Sequence, residues 1–66
     1  MESENPIMQH FQCDHLPEHL RMVSRPFCDL ATMLVGMTPR NAEQSVALRK
    51  LLEAKDAAVR AKLQGP

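Results

Sequence analysis

Histidine and cysteine are concentrated in the first half of the chain. All of them lie between residues 10 and 28, as His10, Cys13, His15, His19 and Cys28. His15 and His19 are four residues apart, a spacing that places two metal ligands on one face of a helix. No Cys-x2-Cys pair accompanies them, and the two cysteines are 15 residues apart. The pattern therefore predicts capping and surface histidines, with no metal site and no cofactor.

The same residues offer little to a catalyst. A nucleophilic Cys or Ser needs an adjacent base and a site that stabilises an oxyanion. Cys13 and His15 are close in sequence, but a chain of 66 residues has little room for a pocket that excludes water. Gly36 and Gly65 are the only glycines, so no glycine-rich phosphate loop is present. We predict that the protein is not an enzyme and has no catalytic residues.

Two cysteines are fewer than the four or more of a typical secreted mini-protein. The start Met is followed by polar residues rather than by the apolar stretch of a signal peptide. No apolar run approaches the 18 or so residues that a membrane span needs. These observations favour an intracellular protein with reduced thiols and no membrane partner, although two cysteines leave a disulfide open.

Eight basic and eight acidic residues give a formal net charge of zero, which argues against a DNA-binding protein. The charges are unevenly placed. Residues 1–36 carry five acids and two bases (−3), whereas residues 37–66 carry three acids and six bases (+3). This split favours either pairing between antiparallel helices or a basic face for a small anion.

Candidate anion-binding residues fall on both halves. Arg21 and Arg25 are four residues apart, and a guanidinium can bind phosphate bidentately. Phe11 lies just before them, where its ring would either stack on a base or anchor the chain in the core. For each Arg the alternative is a solvated face or a carboxylate partner such as Asp29.

The elements that must position these residues are helical. We predict an all-α protein with a flexible N-terminal arm over residues 1–10 and one helical hairpin domain over residues 11–64. The chain is expected to be extended over residues 7–13, where the arm leads into the hairpin. A short helix is expected from an Asp14 N-cap to about Val23. Ser24-Arg25-Pro26 predicts a break and a second helix to about Gly36, unless the two pieces form one kinked helix.

The last helix is expected from an Asn41 N-cap to about Leu63, with Gln44 at the third helical position. Two apolar stripes run along it: Ala47, Leu51, Ala54, Ala58 and Ala61, and Leu48, Leu52, Val59 and Leu63. One stripe can pack on the first helices, through a heptad seam of Leu16, Leu20, Val23, Phe27, Leu30 and Leu34. The leucine stripe would then face another copy of the chain, unless both stripes share one broad core. The small size of the chain also favours oligomerisation.

The second half carries a more specific pattern. Its run Glu43-Gln44-Ser45-Val46-Ala47-Leu48-Arg49-Lys50-Leu51-Leu52-Glu53-Ala54 resembles the Glu-x-Ser-x-Ala-Leu-x-Lys-Leu-x-Glu-Ala signature of a small phage family. The first half resembles the same family, with an aromatic-led arm from Phe11 followed by a helix. The family is that of the phage anti-CBASS cyclic-oligonucleotide sponges, whose hairpin domain is shared by anti-Thoeris sponges. The resemblance covers about residues 11–62.

The resemblance implies a short helix followed by an antiparallel helical pair, assembled as a hexamer. It implies a phage protein, acting in the host cytoplasm, that sequesters cyclic di- and trinucleotide immune messengers without cleaving them. In the family, an aromatic side chain of the arm stacks on a base and basic residues hold the phosphates. Cys13 stands where the family has Tyr, so Phe11 or His15 would supply the stacking surface.

The implied phosphate ligands are Arg25 and then Arg21, with Arg49 and Lys50 for a separate trinucleotide site. A sponge needs affinity and no chemistry, so the lack of catalytic residues suits it. The alternative from the residues alone is a small helical adaptor, which binds a host protein or assembles by itself through its leucine stripe.

Overall fold

The computed structural model describes residues 5–65, and the regular secondary structure within this range is all helical. A 3₁₀ helix, Pro6–Phe11, precedes two long helices, α1 (Glu18–Met37) and α2 (Ala42–Gln64). Thr38 to Asn41 join α1 to α2. None of the helices described is long and apolar enough to cross a membrane. The predicted fold class is thus correct at the level of an all-α protein, whereas the short helix predicted from Asp14 to about Val23 does not exist as a separate element.

The 3₁₀ helix forms where an extended arm was predicted. Asn5 begins it, because its Oδ1 accepts a hydrogen bond from the Ile7 amide at 3.2 Å and Pro6 occupies the first turn. Asn5 is buried, and its Nδ2 also donates to Ser45 Oγ at 2.9 Å. The helix therefore crosses the predicted boundary between arm and hairpin. Residues 1–4 of the predicted arm lie outside the described residues.

Helix α1 is a single helix that runs through Pro26. The predicted break at Ser24 is wrong, and the two pieces form one helix, which was the alternative. The predicted cap is wrong as well, because the N-cap position is Pro17 rather than Asp14. A proline in a helix interior removes one backbone hydrogen bond, here to the Met22 carbonyl. Met22 and Pro26 are both exposed, so water can serve this carbonyl. That exposure explains how the helix continues.

Helix α2 begins as predicted and ends one residue later than predicted. Asn41 Oδ1 accepts a hydrogen bond from the Gln44 amide at 2.9 Å. The Gln44 side chain is buried and does not complete a capping box. Its Nε2 donates to the Thr38 carbonyl and hydroxyl at 3.1 and 3.0 Å, and its Oε1 accepts from Asn5 Nδ2 at 3.2 Å. One side chain thus connects the N-terminal segment, the loop and α2.

The buried face of α1 consists of small side chains. Ser24, Cys28 and Ala31 are buried on this helix, which lets α2 approach closely. The predicted heptad seam is therefore displaced, since Leu30 is 44% exposed and the other seam residues are half-buried. The apolar core consists of Phe11, Cys13, Cys28, Ala31 and Leu48.

Both apolar stripes of helix α2 contribute residues to this core. Leu48 is fully buried, and Leu51 from one stripe and Leu52 from the other pack against the same cluster. The hypothesis that the leucine stripe faces another copy is therefore wrong at Leu48, and the broad shared core describes this region better. The large exposed apolar side chains are found mostly on α1 instead. We call this surface the outer face of α1; it consists of Met22, Pro26, Leu30, Met33 and Met37.

Candidate ligand-binding clefts

Two open clefts lie along α1, and Arg25 lines both of them. The first has a volume of about 530 Å³. One wall runs from Phe11, the last residue of the 3₁₀ helix, to His15 in the segment before α1. The other wall is one face of α1, where Arg25, Asp29 and Thr32 follow at spacings of four and three residues.

A disulfide bond between Cys13 and Cys28 joins the two walls of the first cleft. Both cysteines are buried, and no cysteine is free. The prediction of reduced thiols is therefore wrong in this structure. The two cysteines are far apart in sequence, and the folding of residues 12–17 back onto α1 brings them together. The disulfide fixes this segment beside Arg25.

Arg25 has only a weak partner. Its Nη2 lies 3.9 Å from Asp14 Oδ1, and the two side chains are 55% and 98% exposed. Exposed ion pairs of this kind contribute about 0–1 kcal/mol. The guanidinium therefore keeps most of its hydrogen-bonding capacity for a ligand.

The charges of the first cleft do not favour an anion. Asp14 and Asp29 line it together with Arg25, so two carboxylates face one guanidinium. His15 lies at its edge and is exposed. This cleft offers hydrogen-bond donors and acceptors for a base or a ribose rather than a phosphate site.

The second cleft, of about 500 Å³, has the opposite balance. It is lined by Arg21, Arg25, Glu18, Met22 and Pro26, so two guanidinium groups face one carboxylate. Arg21 Nη1 donates to the carbonyls of Asp14 and Leu16 at 3.3 and 3.4 Å, which positions its side chain. The apolar Met22 and Pro26 surfaces lie beside the two charges.

Phe11 does not have the exposure that a stacking role requires. Its side chain is 6% exposed and belongs to the core. Lys55 Nζ lies 5.8 Å from the ring centroid and donates to the His10 carbonyl at 3.0 Å. Phe11 thus anchors the 3₁₀ helix, which was the alternative left open by the sequence, and His15 is the remaining ring at the first cleft.

Arg49 and Lys50 line neither cleft. Both are exposed on α2. Of the six residues predicted to bind a ligand, four border the two clefts: Phe11, His15, Arg21 and Arg25.

Lys55 is a residue that sequence reasoning missed. It follows the buried Leu48 by seven residues, which is about two helical turns, so it lies on the inner face of α2. A lysine on the apolar face of a helix needs an acceptor for its ammonium group inside the protein, and this was the available signal in the sequence. Among residues 5–65, no three His, Cys, Asp or Glu side chains are grouped as metal ligands would be.

Comparison with known proteins gives no match: no family model, no curated protein and no solved structure is significantly similar to this chain.

Proposed function

We propose that this protein is a phage-encoded sponge that sequesters cyclic di- or trinucleotides without cleaving them, in clefts at the subunit interfaces of a homo-oligomer. The observation that carries the proposal is the second cleft, where Arg21 and Arg25 stand beside exposed apolar surface. A cyclic dinucleotide is complementary to both features, since its two phosphates can bind guanidinium groups and its two flat bases can lie on apolar surface. Guanidinium groups bind phosphate, and apolar surface receives a base.

The two clefts divide the ligand between them. Arg25 borders both, so a phosphate at Arg25 would place one part of the ligand in each cleft. The carboxylates of Asp14 and Asp29 can accept hydrogen bonds from the exocyclic amino groups of bases or from ribose hydroxyls. The excess of acid in the first cleft is therefore compatible with a nucleotide whose phosphates lie on the Arg21 side.

Closure of the site requires a second chain. Binding pockets for small molecules bury most of the ligand surface, and both clefts here are open to solvent. We take α1 and α2 as an antiparallel hairpin that assembles with copies of itself, as a hexamer in the sponge family that the sequence resembles. A symmetric oligomer can cover each cleft with a neighbouring subunit.

The proposed place of action is the cytoplasm of the infected host. Disulfides are uncommon in a reducing cytosol. Nucleotide binding therefore has to be measured both with the Cys13–Cys28 bond intact and with it reduced. Titrations with and without a thiol reductant identify which form binds.

The test is a calorimetric titration with a panel of cyclic di- and trinucleotides. Arg21→Gln and Arg25→Gln should each raise the dissociation constant about tenfold or more, since a charge-assisted hydrogen bond contributes about 1.5–3 kcal/mol. Arg60→Gln is the matched control, because it removes the same charge from an exposed site on α2 outside both clefts. If all three variants weaken binding equally, the binding is non-specific charge attraction and the two clefts are not the site.

Arg49 and Lys50 test the separate trinucleotide site. They are neighbours on the exposed side of α2, and the family resemblance is the reason to propose them. Arg49→Gln with Lys50→Gln should weaken trinucleotide binding and leave dinucleotide binding unchanged. An equal loss of affinity for dinucleotides and trinucleotides would show that these residues do not form a separate trinucleotide site.

A second candidate function is a helical adaptor that binds a host protein. The outer face of α1 favours it, because Met22 and Met37 are 70% and 69% exposed on the same side of one helix. In that case the arginines are incidental, and Met33→Asp would abolish capture of one defined host partner while nucleotide titrations show no binding for any variant.

A further inference from the structure

We infer that the outer face of α1 pairs with the same face of a second copy, antiparallel, with Arg25 opposite Asp29 of the partner subunit. The proposal concerns assembly alone and does not depend on nucleotide binding.

The outer face is a continuous helical surface. Its residues follow one another at spacings of four, four, three and four, from Met22 to Met37. Such spacings keep side chains on one side of a helix, and the distance between the ends is about 22 Å. Contiguous exposed apolar surface on a small protein marks an interaction site, and methionine adapts well to a facing helix.

The charges beside this face determine the direction of pairing. Arg25 and Asp29 are four residues apart, both exposed, along the same edge of the outer face. In a parallel pair related by a two-fold axis, these edges of the two helices lie on opposite sides of the contact, so neither charge gains a partner from the second copy. In an antiparallel pair the two edges lie on the same side, where Arg25 can face Asp29 of the partner subunit. The charges therefore favour the antiparallel direction.

The register follows from the same two residues. A two-fold axis that passes beside the outer face, at the level between residues 27 and 28, places Arg25 within one residue of the level of Asp29 of the partner subunit. Symmetry repeats this pair on the other side of the axis. The same register sets Met22 level with the partner subunit's Met33, and Pro26 close to the partner subunit's Leu30. Charge and apolar surface are thus matched by a single alignment.

This arrangement also determines what lies beside the interface. Met22, Pro26 and Arg25 belong to the second cleft as well as to the outer face or its edge. The partner helix therefore borders that cleft. A guanidinium has five N–H donors, so Arg25 can serve a carboxylate on one edge and a further acceptor on another.

A charge-swap experiment tests the register without any nucleotide. Solution mass is measured by light scattering at low salt for the natural sequence, Arg25→Asp, Asp29→Arg and the double variant. Each single change creates like-charge contacts twice in the pair, and we expect the dissociation constant to rise about tenfold or more, with the mass falling to half or less. The double variant reverses both partners and should return to within about threefold of the natural protein.

Arg60→Asp is the control for net charge, since it makes the same change as Arg25→Asp at an exposed site on α2. Met33→Asp tests the apolar part of the contact and should give the dissociated mass with unchanged helical circular dichroism. A monomeric natural protein, a double variant that stays dissociated, or single variants that keep the full mass would each overturn the proposal. A protein that fails this test but binds nucleotides would overturn the pairing and leave the proposed function standing. A protein that passes this test but binds no nucleotide would overturn the proposed function and leave the pairing standing.

Discussion

The two long helices use their apolar residues in opposite ways. Helix α2 buries Leu48 completely and packs Leu51 and Leu52 against the same core, so its large side chains hold the monomer together. Helix α1 turns Ser24, Cys28 and Ala31 inward and leaves its methionines outside. Small inward residues on one helix let the large residues of the other fill the core. The apolar side chains left over on α1 are available for a partner.

The same contrast extends to the candidate ligand-binding clefts. Both clefts are built on α1, next to its exposed apolar surface, and neither involves α2. We therefore expect substitutions on the inner face of α2 to act on stability, and substitutions on the outer side of α1 to act on assembly and binding.

The largest expected effect comes from a matched pair of leucines. Leu48→Ala removes a fully buried side chain from α2 and should lower the free energy of unfolding by about 2–5 kcal/mol. Leu30→Ala is the same substitution on the outer face of α1, where the side chain is 44% exposed, and should cost about 1 kcal/mol or less. Urea denaturation measures both. Equal losses would show that the two helices do not differ in this way.

The disulfide also distinguishes the two helices, because it connects α1 covalently to the segment before it and α2 has no such bond. It closes a loop of 15 residues, for which chain entropy predicts a stabilisation of about 3 kcal/mol. The double variant Cys13→Ala with Cys28→Ala should lose about this amount in thermal denaturation. Adding a reductant should destabilise the natural protein by a similar amount and leave the double variant unchanged. A natural protein insensitive to reductant would contradict the role given to this bond.

The caps differ as well, with a smaller effect. Asn41 caps α2 with a side-chain hydrogen bond, whereas Pro17 at the start of α1 makes none. Asn41→Ala should therefore lower stability by about 1 kcal/mol, and Pro17→Ala has no cap bond to remove. Thermal unfolding of the two variants provides the comparison. An unchanged melting temperature for Asn41→Ala would show that other contacts at this loop replace the cap.

The boundaries of α2 could be predicted from sequence because they depend on local interactions. Asn41 and Gln44 are three residues apart, and the run that follows consists of strong helix formers. The inner face of α1 could not be predicted in the same way. Which side of α1 faces inward depends on a tertiary tether from Cys13 to Cys28 and on the small size of Ser24 and Ala31, and neither shows in the spacing of the leucines.

The candidate site was predictable to a similar extent. Arg21 and Arg25 share a face because their spacing fits a helix, and the structure brings them to one cleft. The burial of Phe11 depends on the fold of the 3₁₀ helix against α1 and α2, including the distant Lys55. A local pattern could not distinguish a stacking ring from a core anchor at that position.

A sponge of the kind proposed above binds a cyclic nucleotide and releases it intact. The most direct measurement is a calorimetric titration of the oxidised protein with cyclic di- and trinucleotides, followed by heat denaturation and chromatography of the released ligand. We expect saturable binding of at least one of these nucleotides, weakened by Arg25→Gln, and recovery of that nucleotide unaltered. No binding across the panel, or release of a cleaved product, would contradict it.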